Sequence, residues 1–383
     1  MRVAFLIDRW QPRRGGAERA LAQFAHHLEE RGHEVLAFGV RGPAGDEHPP
    51  GRFVRVASRG LGRVARERHL GEALLAAAEA EDCDATVGVR HLPRVDLYWP
   101  HGGAHAATLA ALGKPCTGRH ATFVELERGL LEGGRARAVA CVSELVLEEL
   151  ARHYPACVER LHLAPNGVDL ERFRPAERDA ARARLGALLG WPDAVPRLSF
   201  VARHPRPKGI ELCFDALAAL EERPWRLLIA GPAGRGRWLR MARARGLPRA
   251  RIAVVERVDS LDLAAGVDLH LAPSRRDPCP LAVLEAVAAG TPALVSEAVG
   301  AADGVLSGVG GEVLPLGVAT PWSAAISAWL ERAEAGESDP EAVRRGVIER
   351  GLDDWLAHLE DLLVRSVSAP SCAREPRTGA RGS

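Results

Sequence analysis

SRRDPCPLAVLEAVAAGTPAL, residues 274–294, reads in order as the end of a strand, a loop with two prolines, a helix, a glycine and the start of the next strand. Strand, loop, helix and strand in so short a span form the repeating unit of a parallel sheet covered by helices. Asp277 stands before the helix and Glu285 inside it, eight positions on, so both carboxylates can face one crevice. A helix cap and an ordinary helical glutamate account for the spacing equally well.

The same rhythm extends outward. Upstream lie RLSFVAR (197–203), a helical segment over about 209–220, WRLLIAG (225–231), RIAVVE (251–256) and DLHLAPS (268–274); PALVSE (292–297) follows. The first half carries its own series: VAFLI (3–7), a helix from about Ala17 to Arg31 with Leu21, Phe24, Ala25 and Leu28 on one face, then HEVLAFGV (33–40), ATVGV (85–89), DLYWP (96–100) and AVACVS (138–143). Both halves are expected to be doubly wound α/β domains. APNGVDLERFRP (164–175), with two prolines and an Asn-Gly turn signal, marks the joint. The expected division is 1–165, then 166–367 closed by a helix over about 340–366 with Trp355, Leu356, Leu359 and Leu362 on one face. A tail at 368–383, rich in Ser, Pro, Arg and Gly, is expected to be disordered.

The 383 residues exceed one ordinary core, and two domains imply a cleft. With 47% hydrophobic and 26% charged residues the composition is that of a globular protein. No run reaches the roughly 18 apolar residues of a membrane span. MRVAFLIDRW has too short an apolar stretch for a signal peptide, so a cytoplasmic location is expected. The seven scattered cysteines form no C-x-x-C pair, and a formal net charge of +1 gives no general pull toward nucleic acid. The basic residues comprise 49 Arg and only two Lys, Lys114 and Lys208, and Asn166 is the sole asparagine. Against such a drift, a retained Lys or Asn is a candidate for a site that needs its shape.

Two loops add candidates. RRGGAER (13–19) lies between the first strand and its helix, where Gly15 and Gly16 let the backbone approach a ligand and the helix start offers N–H groups to a phosphate; a tight turn explains the pair equally well. VARHPRPKG (201–209) follows the second half's first strand and holds Arg203 and Lys208 in one loop. A guanidinium and an ammonium together can neutralise a diphosphate. Asp277 and Glu285 then supply acceptors for a ribose diol and a sugar hydroxyl.

GGAER, APNGVD, the Arg-x-x-x-x-Lys-Gly loop and an acidic-x7-Glu motif followed by AAGTP resemble the retaining glycosyltransferases of family 4, in that order and over nearly the whole ordered chain. The resemblance implies the GT-B fold, two Rossmann-like domains facing a central cleft, and retaining transfer of a hexose from a nucleotide sugar, UDP-glucose or a relative, with no further cofactor. It implies that Gly16 lies against the donor, that Arg203 and Lys208 hold the diphosphate, that Glu285 takes the ribose hydroxyls and that Asp277 stands near the transferred sugar. His101, in WPHGGAH, matches the family histidine near sugar and acceptor, with His105 as the fallback. Asp277 is a methylene shorter than the usual glutamate. Pro280 stands where the family commonly offers a glycine N–H, leaving the amides of Leu281 and Ala282 to contact the donor. The opening and VDLYWPHGG look most like the lipopolysaccharide core glucosyltransferase I branch, which implies a cell-envelope glycan or lipid-linked acceptor. A sugar-nucleotide epimerase and a non-catalytic nucleotide-sugar binder are the alternatives.

No metal is expected. The one D-x-D match, Asp82 and Asp84, precedes a strand and so lies at the wrong end of the sheet for the donor. GRFVRVASRGLGRVARERHLG (51–71) carries Arg52, Arg55, Arg59, Arg63, Arg66 and Arg68 against Glu67 alone. This basic patch reads either as a solvated face or as a peripheral contact with the anionic inner face of the cytoplasmic membrane.

Overall fold

A computed structural model describes residues 1–45, 48–231 and 233–368, and the expected tail lies outside the described residues apart from Ser368. The first sheet holds β1 (Arg2–Leu6), β2 (Glu34–Gly39), β3 (Arg52–Arg55), β4 (Ala85–Gly88), β5 (Val95–Tyr98), β6 (Ala136–Cys141) and β7 (Leu161–Leu163). Their order is β3-β2-β1-β4-β5-β6-β7, with every pair parallel. The second holds β8 (Arg197–Val201), β9 (Arg226–Ala230), β10 (Ile252–Val255), β11 (Leu269–Ala272), β12 (Ala293–Ser296) and β13 (Gly311–Leu314), ordered β10-β9-β8-β11-β12-β13 and again parallel throughout. Both sheets are the expected doubly wound kind.

The chain winds outward from β1 and returns on its other side at β4, and likewise from β8 to β11. Each reversal opens a crevice beyond the carboxyl ends of the strands, where ligands of open α/β sheets bind. The loops after β8 and β11 are those that carry Arg203, Lys208 and Asp277. The loop after β1 leads to Gly15 and Gly16. The topology thus places the candidate motifs around two switch points.

The expected single helix over 340–366 is two helices. Pro340–Arg344 starts with Pro340 at its first position and with the Asp339 carboxylate accepting from the amides of Glu341 and Ala342. The chain then leaves helical geometry near Arg350 and Gly351 and restarts as Leu352–Ser368. This last helix crosses back to the first domain: Trp355, Leu356, Leu359, Leu362 and Leu363 join that domain's core, and Trp355 meets Trp99 at 5.7 Å between ring centroids. Burying each of those leucines is worth roughly 1.5–3 kcal/mol relative to exposure.

Candidate functional site

Arg203 is exposed at the end of β8, and its Nη1 donates to the carbonyl of Arg14, 3.1 Å away in the Gly-rich loop of the first domain. The two switch points therefore face each other. Lys208 lies in the turn that ends the same loop, where its amide donates to the carbonyl of Pro205 at 3.1 Å. Gly209 after it has φ +79°, and a Cβ there would run into the carbonyl of Pro273, which explains the Lys-Gly pairing. The Lys208 ammonium pairs with the Asp277 carboxylate across the gap between the loops after β8 and β11. Asp277 is itself fixed by backbone hydrogen bonds, its amide donating to Ala298 at 2.9 Å and its carbonyl accepting from Gly300 at 2.8 Å.

Pro280 is the N-cap of the helix Leu281–Ala288. The amides of Leu281 and Ala282 are among the first of that helix, which have no intrahelical acceptor. Gly16 stands directly across the cleft, where a Cβ would come 3.3 Å from Leu281 Cδ1. Gly15 is the extended residue that precedes the helix Gly16–Glu30. Glu285 is buried in the second domain's helix and pairs with Arg19 from the first domain's opening helix. Burial raises the pKa of Glu285, and the Arg19 guanidinium opposes that rise. Arg19 belongs to GGAER, but its reach across the cleft was not visible in that motif.

The structure thus gathers Gly15, Gly16, Arg203, Lys208, Asp277, Leu281, Ala282 and Glu285 around one interdomain cleft. The histidines are placed differently. His101 is held against Trp99, with ring centroids 4.2 Å apart, and its Nε2 is shielded from solvent without a hydrogen-bond partner among the described residues. Burial pushes its pKa down to about 3, so the imidazole is neutral at physiological pH. It can donate or accept a hydrogen bond but carries no charge. His105 faces a cavity of about 470 Å³ between the domains, also bordered by Asp8, Glu67, Arg90, His204 and Lys208. Its Nε2 lies 3.1 Å from His120 Nδ1, and its amide donates to Glu127 Oε2 at 2.9 Å.

Other sequence candidates have structural work. Asn166 is buried and donates from Nδ2 to the carbonyl of Cys279 at 3.2 Å, tying the interdomain joint to the Asp277 loop. Asp84 accepts from the amide of Arg2 at 2.8 Å, at the amino ends of the strands, opposite the cleft. Among the described residues no group of three or more His, Cys, Asp or Glu side chains is arranged to hold a metal ion.

Residues 14–172 match the family description Glycosyltransferase Family 4, and residues 195–332 match Glycosyl transferases group 1. The two matches fall on the two sheets, apart from β1, and include every gathered residue. The chain belongs to glycosyltransferase family 4. Among relatives of this family 4 chain, the D-inositol 3-phosphate glycosyltransferase of Nocardia farcinica is 30% identical over 239 residues, covering 58% of this chain and 50% of the relative. The chain spans about half the length of several such curated relatives. The lipopolysaccharide glucosyltransferase WaaG of Escherichia coli is 23% identical over 306 residues, covering 78% of this chain and 81% of WaaG. The fold is that of a crystal structure of WaaG, a glycosyltransferase involved in lipopolysaccharide biosynthesis (TM-score 0.83, 21% identity, 94% of this chain and 99% of the other). It is also that of Anabaena HepE in complex with UDP and glucose (TM-score 0.74, 18% identity, 95% and 99%).

Proposed function

We propose that this family 4 chain transfers a hexose, with retention, from a nucleotide diphosphate sugar to a hydroxyl of a cell-envelope glycan or lipid-linked acceptor. The meeting of Arg203 and Lys208 at the mouth of the cleft, opposite Gly16 and beside the free amides of Leu281 and Ala282, carries this reading. Negative charge grows on the diphosphate as the sugar leaves, and fixed cations and N–H groups aimed at it stabilise the transition state more than the ground state. The carboxylate of Asp277 holds the Lys208 ammonium in place before the donor arrives and borders the position of the transferred sugar. The cavity beyond Lys208 has room for the acceptor, and Asp8, Glu67 and His105 offer its hydroxyls hydrogen-bonding partners. UDP is the favoured nucleotide because the HepE complex of the same fold holds it. A panel of UDP-, GDP- and ADP-sugars, assayed for nucleotide release with a cell-envelope lipid extract, tests the reading. UDP release that depends on the extract is expected. Release without any acceptor would favour an epimerase, and UDP binding without turnover a non-catalytic protein.

The acceptor half of this reading includes a membrane contact. Among the described residues no helix is long and apolar enough to cross a membrane. Of the six arginines in 51–71, Arg52 pairs with Glu81 and Arg68 with Glu125, while Arg55, Arg59, Arg63 and Arg66 form no ion pair among the described residues. Leu61 projects among them at 99% exposure, just before the helix Gly62–Ala80. An exposed leucine flanked in sequence by arginines without ion pairs suits an anionic lipid surface, each cation contributing on the order of 1 kcal/mol. Co-sedimentation with vesicles should require anionic lipid, weaken with salt and fall when Arg59, Arg63 and Arg66 become glutamate. Equal binding to neutral vesicles, or none, contradicts it.

A further inference from the structure

Arg276 precedes Asp277 in the second domain, yet its guanidinium is buried in the first, at 9% exposure. Nε donates to Glu149 Oε1 at 2.7 Å and Nη2 to Glu149 Oε2 at 2.5 Å; Nη1 donates to the carbonyl of Gly102 and to Thr108 Oγ1, both at 2.8 Å. Glu149 lies on the helix Glu144–His153, and Thr108 on the helix His105–Ala111. Within the loop between Trp99 and His105 the amide of His101 donates to Trp99 and that of Gly103 to Pro100, and Thr108 Oγ1 donates to the carbonyls of Ala104 at 3.1 Å and Gly102 at 3.5 Å. Gly103 has φ +62°, and a Cβ there would overlap Arg276 Nη2, so this residue must be glycine both for its backbone angle and for the guanidinium beside it.

His101 and Asp277 each stand one residue from an end of this contact: His101 adjoins Gly102, whose carbonyl is held, and Asp277 adjoins Arg276, which holds it. We infer that Arg276 is a positioning residue, which sets the His101–His105 loop of the acceptor side at a fixed separation from the Asp277 carboxylate of the donor side. The inference rests on the proposed transfer reaction for its catalytic consequence, though not for its geometry. A two-pronged carboxylate contact, a carbonyl and a hydroxyl taken by one planar fork are beyond an ammonium, which has neither the shape nor the five donors. Displacing reacting groups by about 1 Å can cost 10²-fold in rate while leaving ligand affinity intact.

Arg276→Lys retains a positive charge beside Glu149 and loses the fork. Its kcat should fall about 10- to 100-fold, with donor KM and UDP affinity within about twofold of wild type, because Arg203, Lys208 and Glu285 are untouched. Amide hydrogen exchange in the segment 99–108 should speed up, while the rest of the first sheet keeps its protection. Glu149→Gln weakens the two-pronged contact without touching the 99–105 loop itself; it should show a smaller shift in the same two readouts, and it serves if the lysine variant does not fold. Wild-type kcat and exchange in both variants would overturn the inference. So would a loss of UDP affinity and thermal stability in proportion to kcat, which marks a purely structural ion pair. If the wild type itself transfers no sugar, the proposed function fails instead, and the exchange comparison alone decides whether Arg276 holds the loop.

Discussion

Replacing Lys208 by alanine is expected to lower kcat and kcat/KM together by roughly 10²-fold or more, the usual scale for removing one fixed charge that acts mainly in the transition state. Lys208 is less than one-third exposed and lies opposite Asp277, which is nearly buried, so the alanine variant also leaves that carboxylate without its partner at the proposed sugar position. Lys208→Arg keeps the charge and should still be substantially impaired. A planar guanidinium differs from the ammonium in reach and head-group geometry, and is expected to disturb the contact with Asp277. Steady-state kinetics on both variants checks this. An alanine variant with wild-type kcat/KM would remove Lys208 from the leaving-group site.

Glu285→Ala is expected to weaken UDP binding by about 10- to 100-fold in calorimetric titration, with a smaller effect on kcat. A hydrogen bond to a charged group is worth about 1.5–3 kcal/mol, and 1.4 kcal/mol is a factor of ten in affinity. The side chain is buried at the cleft and paired with Arg19, so its carboxylate is oriented before a ribose diol reaches it. Arg19→Ala should have a smaller effect than Glu285→Ala, because it frees the carboxylate without removing it. If Glu285→Ala binds UDP as wild type does, the residue serves only to pair with Arg19 across the domains.

The fold was legible where buried strands are short apolar runs: VAFLI, HEVLAFGV, WRLLIAG and PALVSE all fall on strands of the two parallel sheets. Three strands did not read as such. β3 is RFVR, an edge strand with arginine at both ends, a pattern that also reads as a basic patch and that protects a sheet edge from pairing. β7 has three residues, and β13 begins at Gly311 within a glycine-rich stretch. The path of the last helix was hidden for another reason. Its apolar face is evident in Trp355, Leu356, Leu359 and Leu362, but periodicity does not say which sheet that face covers. In the site, the grouping of Arg203, Lys208, Asp277 and Glu285 followed from the resemblance of two motifs in one domain to family 4, since their spacing alone fits a helix cap and an ordinary helical glutamate equally well. Arg19 and Arg276 reach across domains, and in a chain with 49 arginines nothing local sets them apart. Lys208 did stand out by rarity; Asn166 did too, and it holds the joint to the Asp277 loop.

The proposed chemistry has protein cations, with no metal ion, stabilising a departing nucleoside diphosphate. Transfer of labelled hexose from a UDP-sugar to a cell-envelope lipid extract, measured with and without EDTA, tests that most directly. The expected result is extract-dependent transfer at the same rate in excess chelator. Transfer that EDTA abolishes and magnesium or manganese restores would contradict the assignment of the diphosphate to Arg203 and Lys208.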